Sequence, residues 1–137
     1  LFGCFMNSGQ TCSALTRMLV PRERLGEVEE LVLAAAGGFT PGDPFEAGRL
    51  LGPLVSEVQR DRVRGYINKG IEEGAKLLTG GPDAPEGLDK GDYVQQTVFS
   101  NVTPDSSSAQ EECCLPGLAI MPYDSGGEAI EMANSSQ

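Results

Sequence analysis

Four cysteines and no histidine set the chemistry open to this 137-residue sequence. Cys12 lies in Gly9-Gln10-Thr11-Cys12-Ser13-Ala14, a run of small and polar residues ahead of the apolar Met18-Leu19-Val20. A thiolate is a far better nucleophile than a hydroxyl near neutral pH. Glycine lets backbone approach a substrate closely, and small residues after the sulfur leave room behind it. The run leaves a thiol accessible, and a helix starting at Cys12 would favour its thiolate. The plainer reading of any cysteine, a small buried apolar residue, stands beside this one. Without an imidazole, Cys-His and Ser-His relays and histidine metal ligands are excluded within the chain. Adjacent Cys113 and Cys114 do not form a C-x-x-C zinc knuckle, so no metal site is expected. The spacing is not that of a secreted disulfide framework either, and cysteine usage points to a reducing, cytoplasmic compartment.

The elements that must hold these residues alternate between extended and helical. Residues 5–16 read as a loop entering a short helix, followed by a strand at Arg17-Met18-Leu19-Val20 that Pro21 stops. From Pro21 a helix is predicted, with Leu25, Val28, Leu31, Val32 and Ala35 on one face and Gly37-Gly38 at its end. Residues 39–55 form an irregular loop punctuated by Pro41-Gly42, Asp43-Pro44 and Gly52-Pro53. A second helix starts at Ser56, whose spacing from Gln59 fits a capping box, and its period runs through Val63, Tyr66, Ile67 and Gly70. Ala75 to Thr79 reads as a strand, 81–91 as a surface loop, and Tyr93 to Val102 as extended. Ser108 with Glu111 suggests a capped helical turn, Leu118 to Met121 a buried strand, and Ser125 with Glu128 the cap of a last helix. Strands separated by helices imply parallel pairing. The expected fold class is α/β, a layered parallel sheet with flanking helices.

Composition narrows the partners. Apolar residues make up 39% of the chain, enough for one domain with a core of its own. The longest apolar run, Leu31 to Ala36, follows directly on Glu29-Glu30 and falls far short of the roughly 20 residues a membrane span needs. The formal net charge is −10, and beyond Lys76 the single basic residue is Lys90. Such a surface repels phosphate backbones and anionic lipid, so neither nucleic acid nor membrane is an expected partner. The chain opens on Leu1-Phe2-Gly3-Cys4-Phe5 without an initiator Met or a signal-peptide pattern, which suggests a piece of a longer protein.

Taken together, Phe5-Met6-Asn7-Ser8-Gly9-Gln10-Thr11-Cys12-Ser13-Ala14-Leu15-Thr16-Arg17 is similar to the catalytic-cysteine signature of the NAD(P)-dependent aldehyde dehydrogenase superfamily. That signature has an aromatic residue four positions before a Gly-Gln pair, then any residue and the nucleophilic cysteine. Two small residues and a Thr or Ser before Arg complete it. Gly42-Asp43-Pro44, Gly52-Pro53-Leu54-Val55, Gly80-Gly81, Thr97-Val98-Phe99, Gln110-Glu111-Glu112 and Glu128-Ala129-Ile130 follow in the family's order. The resemblance implies that Cys12 is the nucleophile and that Glu112 binds the nicotinamide ribose. A carboxylate suits a diol, because it accepts from two hydroxyls at once. A solvated acid on a polar turn is the other reading of Glu112. Gln59 and Arg62 match positions that can line the adenosine end of the cofactor groove, and an exposed helix face is the plainer reading of both.

The chain also departs from its family. After Glu112 the family usually has Ile-Phe-Gly-Pro-Val, whereas here Cys113-Cys114-Leu115-Pro116-Gly117 stands, with Cys114 in place of the aromatic that flanks the nicotinamide. The implied function is oxidation of a small-molecule aldehyde to a carboxylic acid through a cysteine thiohemiacetal and thioester, with NAD or NADP. The family's nucleotide-binding domain, general-base glutamate and oxyanion-hole asparagine lie upstream of such a segment. Residues 1–137 are therefore expected to be part of a catalytic domain, inactive alone and homo-oligomeric when intact. A catalytically silent α/β interaction or scaffold module is the alternative. A cysteine hydrolase or acyltransferase is a third reading, for which the chain offers no base.

Overall fold

The computed structural model describes residues 1–135. Its elements run α1 (Phe2–Phe5), β1 (Arg17–Pro21), α2 (Leu25–Ala36), α3 (Glu57–Glu72), β2 (Lys76–Thr79) and β3 (Thr97–Ser100), then α4 (Ser107–Gln110), β4 (Gly117–Tyr123) and α5 (Gly126–Asn134). The four strands form one sheet in the order β1-β4-β3-β2. Strand β4 pairs in parallel with β1, Arg17 opposite Ala119, and with β3, Thr97 opposite Gly117. The pair β2–β3 departs from the all-parallel expectation and is antiparallel. Its connection explains this. A parallel neighbour needs a crossover element, and residues 80–96 between the two strands contain no helix.

Both faces of the sheet are covered, so β4 reads as a continuous apolar run rather than an alternating one. Leu118 and Ile120 pack with Val98, Val20, Val32, Ala36 and Phe5 on the α1–α2 side. Ala119 and Met121 pack with Phe99, Val63, Ile67 and Met132 on the α3–α5 side. Ile67 and Ile120 are fully enclosed, and trimming either to alanine would cost about 2–5 kcal/mol.

Helix boundaries differ from the expectation in instructive ways. Pro21 is the last residue of β1 rather than the first of a helix, and a 3₁₀ turn at Arg22–Arg24 leads into α2. An edge strand tolerates a proline because one side of it needs no ladder donor. On α2 the inward stripe is Leu25, Val28, Val32 and Ala36, while Leu31 is 61% exposed. Ser56 caps α3 as expected, accepting from the Gln59 backbone N–H at 3.2 Å. The Gln59 amide does not complete the box, because it reaches the loop at Cys114 instead. Ser125 caps α5 by accepting from the Glu128 N–H. The short α4 starts at Ser107, one residue before the expected cap. Its first N–H is met by the Glu73 carboxylate from the end of α3, which also accepts from the Ser107 hydroxyl.

Candidate active site

The segment before Cys12 is folded by its own signature residues. After α1 the chain makes a 3₁₀ turn at Met6–Gly9 in which Asn7, Ser8 and Gly9 all have positive φ, at 55°, 56° and 72°. Three left-handed residues in a row are costly unless the surroundings fix them. The buried Ser8 hydroxyl donates to the Gly52 carbonyl at 2.8 Å, and the Gln10 side-chain oxygen accepts from the Val55 N–H at 2.9 Å. Two motifs far apart in sequence, Gly9-Gln10 and Gly52-Pro53-Leu54-Val55, are thereby one structural unit. Gly9 has a further constraint. A Cβ there would overlap the carbonyl of Leu115, so the backbone of the two loops is in direct contact.

Cys12 itself lies in an exposed turn, and no helix starts from it. The expected help from a helix dipole is therefore absent. A loop nonetheless leaves the sulfur open to a reactant. Arg17, which closes the signature, donates to the carbonyls of Met132 and Ala133 at 3.1 and 3.3 Å. Its guanidinium thus satisfies the C-terminal end of α5, where orphan carbonyls favour a cation.

The opposite wall is the loop 111–117. Glu111 is fixed: it accepts from the Tyr66 hydroxyl at 2.6 Å and from Lys69 at 3.5 Å. The Tyr66 bond, with the cations Lys69 and Arg62 nearby, holds its carboxyl below the usual range. Glu112 is exposed, and among the described residues its carboxylate is approached by the Cys114 thiol, with Sγ 3.8 Å from Oε1. Gln59 and Arg62 hold this loop from α3, donating to the carbonyls of Cys114 and Glu112 at 3.4 Å each. Both are loop tethers, a role that neither the groove nor the exposed-face reading had given them.

Cys12 and Glu112 line the same open cavity of about 280 Å³. Tyr66, Phe99, Glu111, Cys113, Cys114 and Leu115 complete much of its wall. Sequence reasoning had not assigned Tyr66 or Phe99 to a site: Tyr66 was read only as part of a helical period and Phe99 only as part of the Thr97-Val98-Phe99 motif. The four cysteines are all unpaired thiols. Burial pushes Cys4 up to about 12, and its Sγ donates to the Gly117 carbonyl at 2.9 Å. Cys113 is raised to about 11, first by burial and then by Glu111. Among the described residues no cluster of three or more His, Cys, Asp or Glu could hold a metal, and no helix is long and apolar enough to cross a membrane.

A sequence model of the aldehyde dehydrogenase family matches residues 1–137. The chain belongs to that family. It is 44% identical over 131 residues to a 3-succinoylsemialdehyde-pyridine dehydrogenase of a Pseudomonas species, covering 96% of this chain and 28% of the relative. Among solved structures it resembles aldehyde dehydrogenase C of Pseudomonas syringae, crystallised as a Cys-to-Ala mutant with NAD+ and octanal. That match has a TM-score of 0.96 and 45% identity, over 98% of this chain and 28% of the other. An aldehyde dehydrogenase of Mycobacterium tuberculosis complexed with NAD+ matches with a TM-score of 0.94 and 47% identity, over the same shares. The chain thus spans little more than a quarter of the length of the relatives it matches.

Proposed function

We propose that these residues are part of the catalytic domain of an enzyme that oxidises an aldehyde to a carboxylic acid with NAD or NADP. The observation that carries this reading is the placement of Cys12 and Glu112 on one cavity, in a chain of this family. Cys12 is the nucleophile. Its sulfur adds to the aldehyde carbonyl to give a thiohemiacetal, and loss of hydride from that carbon leaves a thioester on Cys12. Water then releases the acid, activated by a glutamate that the family resemblance assigns to a segment outside these residues.

The residues present fit a nicotinamide nucleotide. Glu112 offers an exposed carboxylate at the cavity, the group a ribose diol calls for. When bound, the cofactor supplies the hydride acceptor. The loop carrying Glu112 is tethered by Gln59 and Arg62, and its contact with Gly9 fixes how far that carboxylate stands from the nucleophile's turn. Holding the two in one geometry is what converts encounter into reaction.

The test is Cys12→Ala in the protein expressed from its complete reading frame. NADH formation from an aldehyde should be lost while cofactor binding stays within error of the parent. Retained turnover would remove Cys12 from the mechanism. The 137 residues expressed alone are expected to form no NADH, since the family resemblance assigns the water-activating glutamate and the nucleotide-binding domain to segments outside them.

A further inference from the structure

Three of the four thiols line the same cavity: Cys12 on one wall, Cys113 and Cys114 on the other. The aldehyde chemistry uses the first alone. The two walls are in backbone contact, since Gly9 stands against the Leu115 carbonyl, three residues before Cys12 and one after Cys114. The two cysteines of the far wall differ in their surroundings. The Cys113 thiol donates to the Glu111 carbonyl at 3.4 Å. The Cys114 thiol faces the carboxylate of Glu112 at 3.8 Å, and Cys114 itself has φ of +47°, a conformation that an L side chain adopts at a cost.

We propose that Cys114 is the resolving thiol for Cys12, so that a peroxide converts the pair into a reversible disulfide across the cavity. The inference rests on Cys12 being the reactive thiol of the proposed function. In the first step the Cys12 thiolate attacks one peroxide oxygen, the O–O bond breaks and hydroxide leaves. The sulfur is oxidised by two electrons to a sulfenic acid. In the second step the Cys114 thiol gives its proton to Glu112 and its sulfur bonds to that of Cys12. The S–O bond breaks, and the departing hydroxyl takes the proton from Glu112 and leaves as water. Hydrogen peroxide and two thiols thus become a disulfide and two waters.

The surroundings favour this pairing over the others. The Cys114 sulfur stands 3.8 Å from the Glu112 carboxylate, a group placed to take the thiol proton as the sulfur attacks. The Cys113 thiol directs its hydrogen bond to the Glu111 carbonyl rather than to a carboxylate oxygen. Cys4 is buried against Gly117 and does not line the cavity. The disulfide would occupy both the nucleophile and the loop that carries Glu112. It would protect Cys12 from irreversible oxidation, and a small thiol would restore it.

The experiment treats the protein from its complete reading frame with a stoichiometric amount of hydrogen peroxide. Digestion without reductant is followed by mass spectrometry, with dimedone present in a parallel sample. A peptide joining Cys12 to Cys114 is expected, and dithiothreitol should remove it. In Cys114→Ser that peptide should be lost and Cys12 should carry dimedone instead. In Cys113→Ser it should persist, and in Glu112→Gln it should form more slowly. A Cys113–Cys114 or Cys12–Cys113 bridge would overturn the proposal. So would dimedone on Cys12 in the parent at the level seen in Cys114→Ser, or a Cys12 that does not react. The readout is mass rather than turnover, so loss of the bridge in an enzyme that still needs Cys12 refutes the resolving thiol and leaves the nucleophile standing.

Discussion

Leu115 occupies the space that a side chain at residue 117 would need. Its Cδ1 lies where the Cβ of any residue other than glycine at 117 would stand. The chain has Leu-Pro-Gly where its family usually has Gly-Pro-Val, so the side-chain bulk has moved from one side of Pro116 to the other. Two departures that look independent in sequence are therefore one exchange.

This relationship predicts strong coupling. Gly117→Val alone should destabilise the protein by about 1–3 kcal/mol, the usual cost of overfilling a packed site. Leu115→Gly alone should destabilise it through the hole it leaves. The double mutant should recover much of both losses, with a coupling of roughly 0.5–3 kcal/mol in a denaturation cycle. Additive losses would mean that the two residues do not share this space.

Gly9 is predicted to be irreplaceable for two separate reasons. Its φ of 72° costs any other residue on the order of 1–3 kcal/mol, and a Cβ would also drive into the Leu115 carbonyl. Gly9→Ala should lower the thermal midpoint and reduce turnover together, because the same contact fixes the spacing of the two walls. A mutant of parental stability and activity would contradict the placement of these loops.

Gln59 should matter to the cofactor more than to the chemistry. Its amide holds the Cys114 carbonyl, and such a bond contributes roughly 1 kcal/mol. Gln59→Leu is expected to raise the cofactor KM by about fivefold with little change in kcat. Steady-state kinetics at saturating aldehyde separates the two.

Acid stability should depend on Glu29. Its carboxylate accepts from Lys76 at 2.7 Å and from the Ser100 hydroxyl at 2.6 Å, and these bonds, that of Lys76 first, hold it below its ordinary value of 4.5. A depressed carboxyl binds its proton less readily when folded than when unfolded. Its contribution is thus complete above the unfolded value and is lost as pH falls through the folded one. Ser100→Ala should cost about 1 kcal/mol at pH 7, with the difference from the parent shrinking at a pH well below the ordinary value of 4.5. Urea titrations at the two pH values provide the check.

How much of this could be read from sequence differs from part to part. The order of elements and the Ser56 and Ser125 caps follow from local rules, which act over a few residues. The antiparallel β2–β3 pair was missed, because strand pairing depends on whether the connection carries a crossover element. The outward turn of Leu31 was missed for a related reason: several apolar residues competed for one stripe, and the tertiary contact decided among them. At the site, the type and spacing around Cys12 marked the turn, but its partners did not follow. The bonds of Ser8 to Gly52 and of Gln10 to Val55 join segments that nothing in a linear pattern connects. The tether from Gln59 looked like half of a capping box until the loop opposite it was in place.

The pairing of β1 with β4 ties together segments far apart in sequence. Cys4 bonds Gly117 across 113 positions of sequence, and Arg17 stands beside Ala119. Contacts of such long range form late, because the entropy of closing the loop must be met before they return anything. On the ribosome, the turn bearing Cys12 emerges ahead of the strand and loop that anchor it. Throughout that interval Cys12 is on a segment without its packing partners. The thiol is therefore made before the cavity exists, and any break in the chain ahead of Gly117 leaves Cys12 without its second wall.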